Sequence, residues 1–186
     1  MANMELAKSN TVQSSATIHP MNMTTDPTND LEAILEYEFS TADTLRRALT
    51  HASAARDALS AYERLEFLGD RVLGLVVAEQ LLDRFPLERE GEIARRHVQL
   101  VRKEALAVVA RELGIGRFLL ISKGEEEAGA RESESILADV MEAILAAMYL
   151  DGGLEAARNF ILRHWVPLLE ADLEPPRDPK TSLQEW

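Results

Sequence analysis

The segment from Tyr62 to Arg84 carries a long helical pattern whose opening, YERLEFLGDR, sets Glu63, Glu66 and Asp70 on one stripe. At about 100° per residue, offsets of three and seven return side chains to nearly the same azimuth. Carboxylates on one stripe repel and raise one another's pKa unless a cation neutralises them, so whatever packs here must tolerate or offset that charge. A divalent metal meets the requirement. A second acidic pair, Asp139 and Glu142, stands three residues apart in another helical pattern, ILADVMEAI, and two such helices facing each other could share an ion. Carboxylate ligands, the absence of cysteine and the lack of a His-x-x-x-His spacing favour a hard ion, magnesium or manganese, over zinc. Such a site suits phosphate chemistry.

Apolar periodicity predicts helices over Leu31 to Tyr37, Ala42 to His51, Tyr62 to Arg84, Glu92 to Leu113, Ser135 to Tyr149 and Leu154 to Leu169, with no convincing strand alternation. Asp30 and Thr41 are placed to cap helix starts, Pro86 follows a helix end, and Gly114 with Gly116 ends another. Gly152 and Gly153 mark the last turn. Gly69 and Gly74 stand inside a predicted helix at a cost of about 1 kcal/mol each relative to alanine. Close approach of another backbone, at the centre of the fold or at a dimer contact, would compensate. GEEEAGARESE, from Gly124 to Glu134, reads as a solvated loop.

The chain ends are compositionally different. Residues 1–29, rich in Ser, Thr, Asn, Met and Ala, read as a disordered leader. Residues 171–177, bearing Pro175 and Pro176, read as a semi-rigid linker. The helical unit between them spans residues 30–170. Across all 186 residues no apolar run is long enough for a membrane span, and no basic segment followed by an apolar stretch suggests a secretory signal, so the expectation is a soluble cytoplasmic protein with no membrane partner. The net charge of −12 weighs against nucleic-acid binding. Local basic stretches such as Arg95, Arg96, Arg102 and Lys103 soften that objection, as would metal ions at the carboxylates.

At these residues the chain resembles a known family. ERLEFLGDR followed by VLGLVVAEQLLDRFP is similar to the signature helix of ribonuclease III, the endonuclease of double-stranded RNA. LTHAS at Leu49 to Ser53, EGEIARRHVQLVRKEALAVVARELGIG from Glu90, and SILADVMEAILAAMYLDGG from Ser135 follow in the family's order, so the resemblance spans nearly all of Leu31 to Glu170. DPKTSLQEW, residues 178–186, resembles the start of the family's double-stranded RNA-binding domain; the remainder, usually basic, is not in this chain.

The resemblance implies an all-α endonuclease domain forming a homodimer through the helix carrying Glu63 to Arg84. It implies Glu66, Asp70, Asp139 and Glu142 as magnesium ligands, with manganese as a substitute and with Asp70 and Glu142 central to catalysis. Glu63 matches an acidic position whose role divides between cleavage cleft and dimer edge, and Glu90 is a weaker acidic match in an exposed loop. The implied activity is hydrolysis of double-stranded RNA to 5′-phosphate and 3′-hydroxyl products with short 3′ overhangs, in rRNA and mRNA processing. The alternative is a non-catalytic dimer of this type that binds structured RNA or a protein.

The plain alternative for the four ligand positions is carboxylates at helical spacing that face water. Their apolar neighbours, Leu65, Phe67 and Leu68 on one helix and Ile136, Leu137 and Val140 on the other, argue for partial burial instead. Phe67 reads by resemblance as a subunit contact, or else as monomer core. Trp165 reads as core or interface. His51, His97 and His164 lack metal spacing and are given no catalytic work. Two departures from the family pattern bear on RNA contact: His97 stands where relatives often carry arginine, and Glu132 and Ser133 follow Arg131 where many have further arginine.

Overall fold

The structure, a computed structural model, describes residues 27–57 and 59–171; the predicted leader apart from its last three residues, and the predicted linker and terminal segment beyond Ala171, lie outside them. Its elements are α1 (Pro27–Leu35), α2 (Ala42–Ala48), α3 (Glu63–Arg84), α4 (Glu90–Val101), α5 (Lys103–Glu112), α6 (Lys123–Glu127) and α7 (Glu134–Ala171), with short 3-10 turns at Ala52–Ala54, Ile115–Phe118 and Ala130–Glu132. The only β-pairing among the described residues is an isolated bridge between Thr50 and Leu120.

The first part of α7 is the core of the protein. Every residue from Ala143 to Met148 is fully buried, as are Leu137, Ala138, Val140 and Met141. A helix that is apolar all round must be enclosed on all sides, and α7 packs most extensively against α3 and α5. The α3 face it meets carries Leu65, Val72, Leu73 and Val76. Gly69 lies on that face and allows backbone contact: a Cβ there would stand 1.8 Å from the Glu142 carbonyl oxygen. The close approach expected of this glycine is real. Gly74 differs, its Cβ direction being open except for the His97 ring at 3.7 Å.

The single helix predicted over Glu92 to Leu113 is two helices, broken at Arg102, whose extended backbone (φ −71°, ψ 157°) separates α4 from α5. Azimuth explains both the break and its invisibility. In an unbroken helix Lys103 would fall within about 20° of Arg96, on the same side as Leu100, Ala107 and Ala110, all of which are buried. The break turns Lys103 out of the core, and its side chain is 61% exposed. The carbonyl of Leu100, near the broken end, accepts a 2.8 Å hydrogen bond from the Trp165 indole. Trp165 is thereby a core residue, 3% exposed.

Other boundaries reflect local chemistry. Gly114 (φ 64°) takes the left-handed conformation that ends α5. Gly153 (φ 74°, ψ −174°) interrupts α7, dividing it near the predicted turn. The segment predicted as loop from Gly124 holds α6, capped by the Ser122 hydroxyl accepting from the Glu125 amide. Arg131 fastens the 3-10 turn after α6, donating to the carbonyls of Gly116 and Leu119 at 2.9 and 3.0 Å and to Glu126 at 2.8 Å. Thr41 stands at the N-cap of α2 without a side-chain capping bond. Asp30 lies within the first turn of α1, which starts earlier than its pattern indicates.

Candidate metal centre

The backbone contact at Gly69 brings the acidic residues of α3 beside those of α7. Glu66 and Asp70 flank the contact on one helix, Asp139 and Glu142 on the other. Carboxylate oxygens of Glu66, Asp139 and Glu142 all lie within 4.8 Å of one another, a spacing that one cation can bridge. Asp70 falls outside this trio, ion-paired with Arg71, whose guanidinium covers the Phe67 ring at 4.2 Å from its centroid. Its charge still reaches the trio, because after burial it is the largest influence raising the pKa of Glu142.

Electrostatics record what this juxtaposition costs. Burial first, then repulsion from Asp70, Glu66 and Asp139, push the Glu142 carboxyl from its ordinary 4.5 up to about 8. Burial and the Asp139 charge raise Glu66 as well. Without a cation the cluster thus holds a proton near neutral pH, and a divalent ion would replace it. The donor set is all oxygen and all anionic, which suits a hard ion. Tyr62, 4% exposed at the start of α3, lies within the field of the same carboxylates, and burial with those charges raises its phenol.

One participant was hidden among the basic residues of the sequence. The Lys103 ammonium, released by the break before α5, sits 3.2 Å from an Asp139 carboxylate oxygen and 3.1 Å from the Ser135 hydroxyl. It lowers the pKa of both Glu66 and Glu142, opposing their neighbours. No spacing rule relates Lys103 to Asp139, since the rest of α5, α6 and the segments joining them to α7 intervene.

The remaining candidates lie elsewhere or do other work. Glu63 is exposed on the first turn of α3, beside the trio but not in it, and its charge adds to the upward shift of Glu66. Glu90 is exposed at the first position of α4, where an acid complements the helix dipole. His51 accepts from the Ser53 amide, His97 shares a 2.9 Å hydrogen bond with the Gly74 carbonyl, and His164 packs against Phe160. Of the basic stretch, Arg96 is 4% exposed, bound through two nitrogens to Glu88 at 2.8 Å each and stacked on Phe85. It serves the fold and offers no surface for a phosphate.

Residues 41–169 match the family model described as Ribonuclease-III-like. Ribonuclease 3 of Azorhizobium caulinodans is 50% identical over 159 residues, covering 84% of this chain and 68% of that protein. Ribonuclease 3 of Dinoroseobacter shibae is 51% identical over 153 residues, covering 81% and 66%. The chain spans about two thirds of the length of these curated relatives. Among solved structures, the nuclease domain of ribonuclease III from Campylobacter jejuni, described for flexibility in a region involved in dimer formation, superposes with a TM-score of 0.71 at 41% identity, covering 74% of this chain and 95% of that one. By the family model and by these identities, the chain belongs to the ribonuclease III family.

Proposed function

We propose that the chain is a metal-dependent endoribonuclease that hydrolyses double-stranded RNA and acts as a homodimer. The observation that carries this reading is the trio Glu66, Asp139 and Glu142, forced together at a backbone contact and left short of positive charge. Glu66, Asp139 and Glu142 would hold the ion, with Asp70 beside them; magnesium, or manganese in its place, fits the donors. When bound, such an ion supplies Lewis acidity at a phosphoryl oxygen and acidifies water for attack. The chain's own residues hold and orient: Lys103 fixes Asp139 and would present an ammonium to incoming phosphate, and buried Tyr62 lies within the field of the carboxylates.

Water as nucleophile leaves 5′-phosphate and 3′-hydroxyl ends. Two centres related by a twofold axis would cut opposite strands and leave short 3′ overhangs. This activity would serve the processing of ribosomal and messenger RNA in the cytoplasm, and no helix among the described residues is long and apolar enough to cross a membrane. The test is cleavage of an end-labelled perfect duplex with magnesium and with chelator. Magnesium-dependent cutting to 5′-phosphate ends is expected; binding without cutting over a long incubation would reduce the protein to a binding module.

The dimer has its own support in α3. Phe67, Leu75 and Leu82 are 65%, 50% and 61% exposed and fall within about 80° of arc on the helix. This apolar stripe shares its azimuth with Arg71, whose guanidinium lies over the Phe67 ring, and Leu75 and Leu82 stay exposed among the described residues. Its exposure removes Phe67 from the monomer core. Phe67→Glu is expected to halve the mass in sedimentation while leaving the helical circular dichroism unchanged. A variant that still sediments as a dimer would place the interface elsewhere.

A further inference from the structure

Away from the carboxylates, the described residues line an open polar pocket of about 200 Å³ between the end of α2 and the segment leading to α3. Arg46, Arg47 and Arg56 line it, together with Asp43, Thr50 and Ser60. In a chain of net charge −12, with acids outnumbering bases 32 to 20, three arginines at one cavity would be expected to find carboxylate partners. Among the described residues none of them forms an ion pair. Arg47 donates one nitrogen to the Leu59 carbonyl at 3.3 Å, and its Nε is buried without a partner. The one carboxylate near the segment besides Asp43 is engaged, because Asp57 accepts from the Leu59 and Ser60 amides at 2.9 Å each.

Arg46 and Arg47 occupy the last turn of α2, where cations complement the helix dipole, and that would be a sufficient account of those two alone. It does not explain Arg56, which comes from the following segment, nor the open volume between them. Position adds to this. Thr50 lines the cavity, and its carbonyl accepts the Tyr62 amide at 3.0 Å, directly before the helix bearing Glu63 and Glu66. The cavity therefore adjoins the start of the acidic helix.

We infer that this cavity binds a backbone phosphate of the RNA duplex, distinct from the scissile one, and so supplies cationic contact that Arg96 of α4, held by Glu88, does not. The guanidinium groups present hydrogen-bond donors suited to phosphate oxygens, and arginines that form no ion pair among the described residues have none to break first. The inference rests on the proposed RNA substrate, so its test must fail separately from that reading. Arg46→Ala combined with Arg56→Ala removes two exposed cations and leaves Arg47, which ties the segment to Leu59.

Cleavage kinetics and filter binding of the same duplex are measured across a salt series for wild type and double variant, with thermal melting as the folding control. Expected are unchanged melting, kcat within twofold, KM raised roughly tenfold, and a log affinity against log salt slope shallower by about one per arginine. Wild-type cleavage with an indistinguishable double variant overturns the inference and leaves the enzyme intact. A wild type that binds without cutting overturns the enzyme, and the binding slopes then decide the cavity by themselves. Inhibition by millimolar inorganic phosphate that the double variant loses, without any change in duplex salt slope, assigns the cavity to a free anion and also overturns the inference.

Discussion

Glu142→Gln is expected to abolish cleavage and, in the same protein, to raise stability when metal is withheld. The first effect comes from removing one anionic ligand without changing volume: losing about 4 kcal/mol of charge stabilisation slows turnover by roughly a thousandfold. The second comes from the titration of Glu142, whose carboxyl is raised from 4.5 to about 8 in the folded chain. Between those values the folded protein holds a proton that the unfolded chain releases. The stabilising contribution is complete below about 4.5, declines as pH rises, and is gone above about 8. Wild type in chelator at pH 9 must therefore carry an ionised, half-buried carboxylate among its neighbours, and the glutamine variant does not. Discounting for solvent screening, the gain is on the order of 2 kcal/mol at pH 9 and vanishes near pH 4. Paired melting curves at the two pH values check the stability, and duplex cleavage checks the chemistry. Near-normal magnesium-dependent turnover would remove Glu142 from the site.

Gly69→Ala is expected to be the most damaging small substitution in α3. Its methyl group would stand 1.8 Å from the Glu142 carbonyl oxygen and 2.5 Å from the carbonyl carbon. Both are backbone atoms of a buried helix, so no side chain can move aside and the helices must separate. Overpacking of this kind costs about 3 kcal/mol or more, which exceeds the roughly 1 kcal/mol that alanine gains in helix propensity. Gly74→Ala is the internal control. Its nearest neighbour is the His97 ring at 3.7 Å, so the same substitution five residues along should be neutral or stabilising by up to about 1 kcal/mol. Chemical denaturation of both variants reads the contrast, and a Gly69→Ala protein as stable as wild type would refute the close backbone contact.

The two glycines show how far the sequence could be read. Glycine inside a strongly periodic helix signalled a close approach, and Gly69 fulfils it within the chain, whereas Gly74 meets only the His97 ring there. The acids of α3 and α7 were legible because each set repeats within one helix. That three of them converge while Asp70 turns to Arg71 was not, since a helical stripe fixes azimuth but not which side chains reach across to a second helix. The break at Arg102 was hidden because the apolar period continues through it almost in phase. Consequently Lys103 could be noticed only as part of a basic run. The cavity lined by Arg46, Arg47 and Arg56 left no pattern at all, being assembled from a helix end and an irregular segment.

The enclosure of α7 has a consequence for how function can be lost. Local opening is easiest where few buried contacts cross, as in exposed turns and chain ends, and hardest in central helices. Asp139 and Glu142 lie on the stretch of α7 whose neighbours from Ala143 to Met148 are wholly buried. Fluctuations that loosen the segment after α2, or the short helix capped by Ser122, leave these two carboxylates in register. Burial therefore predicts that the half of the centre they supply exchanges slowly and comes apart only when the core of α7 opens.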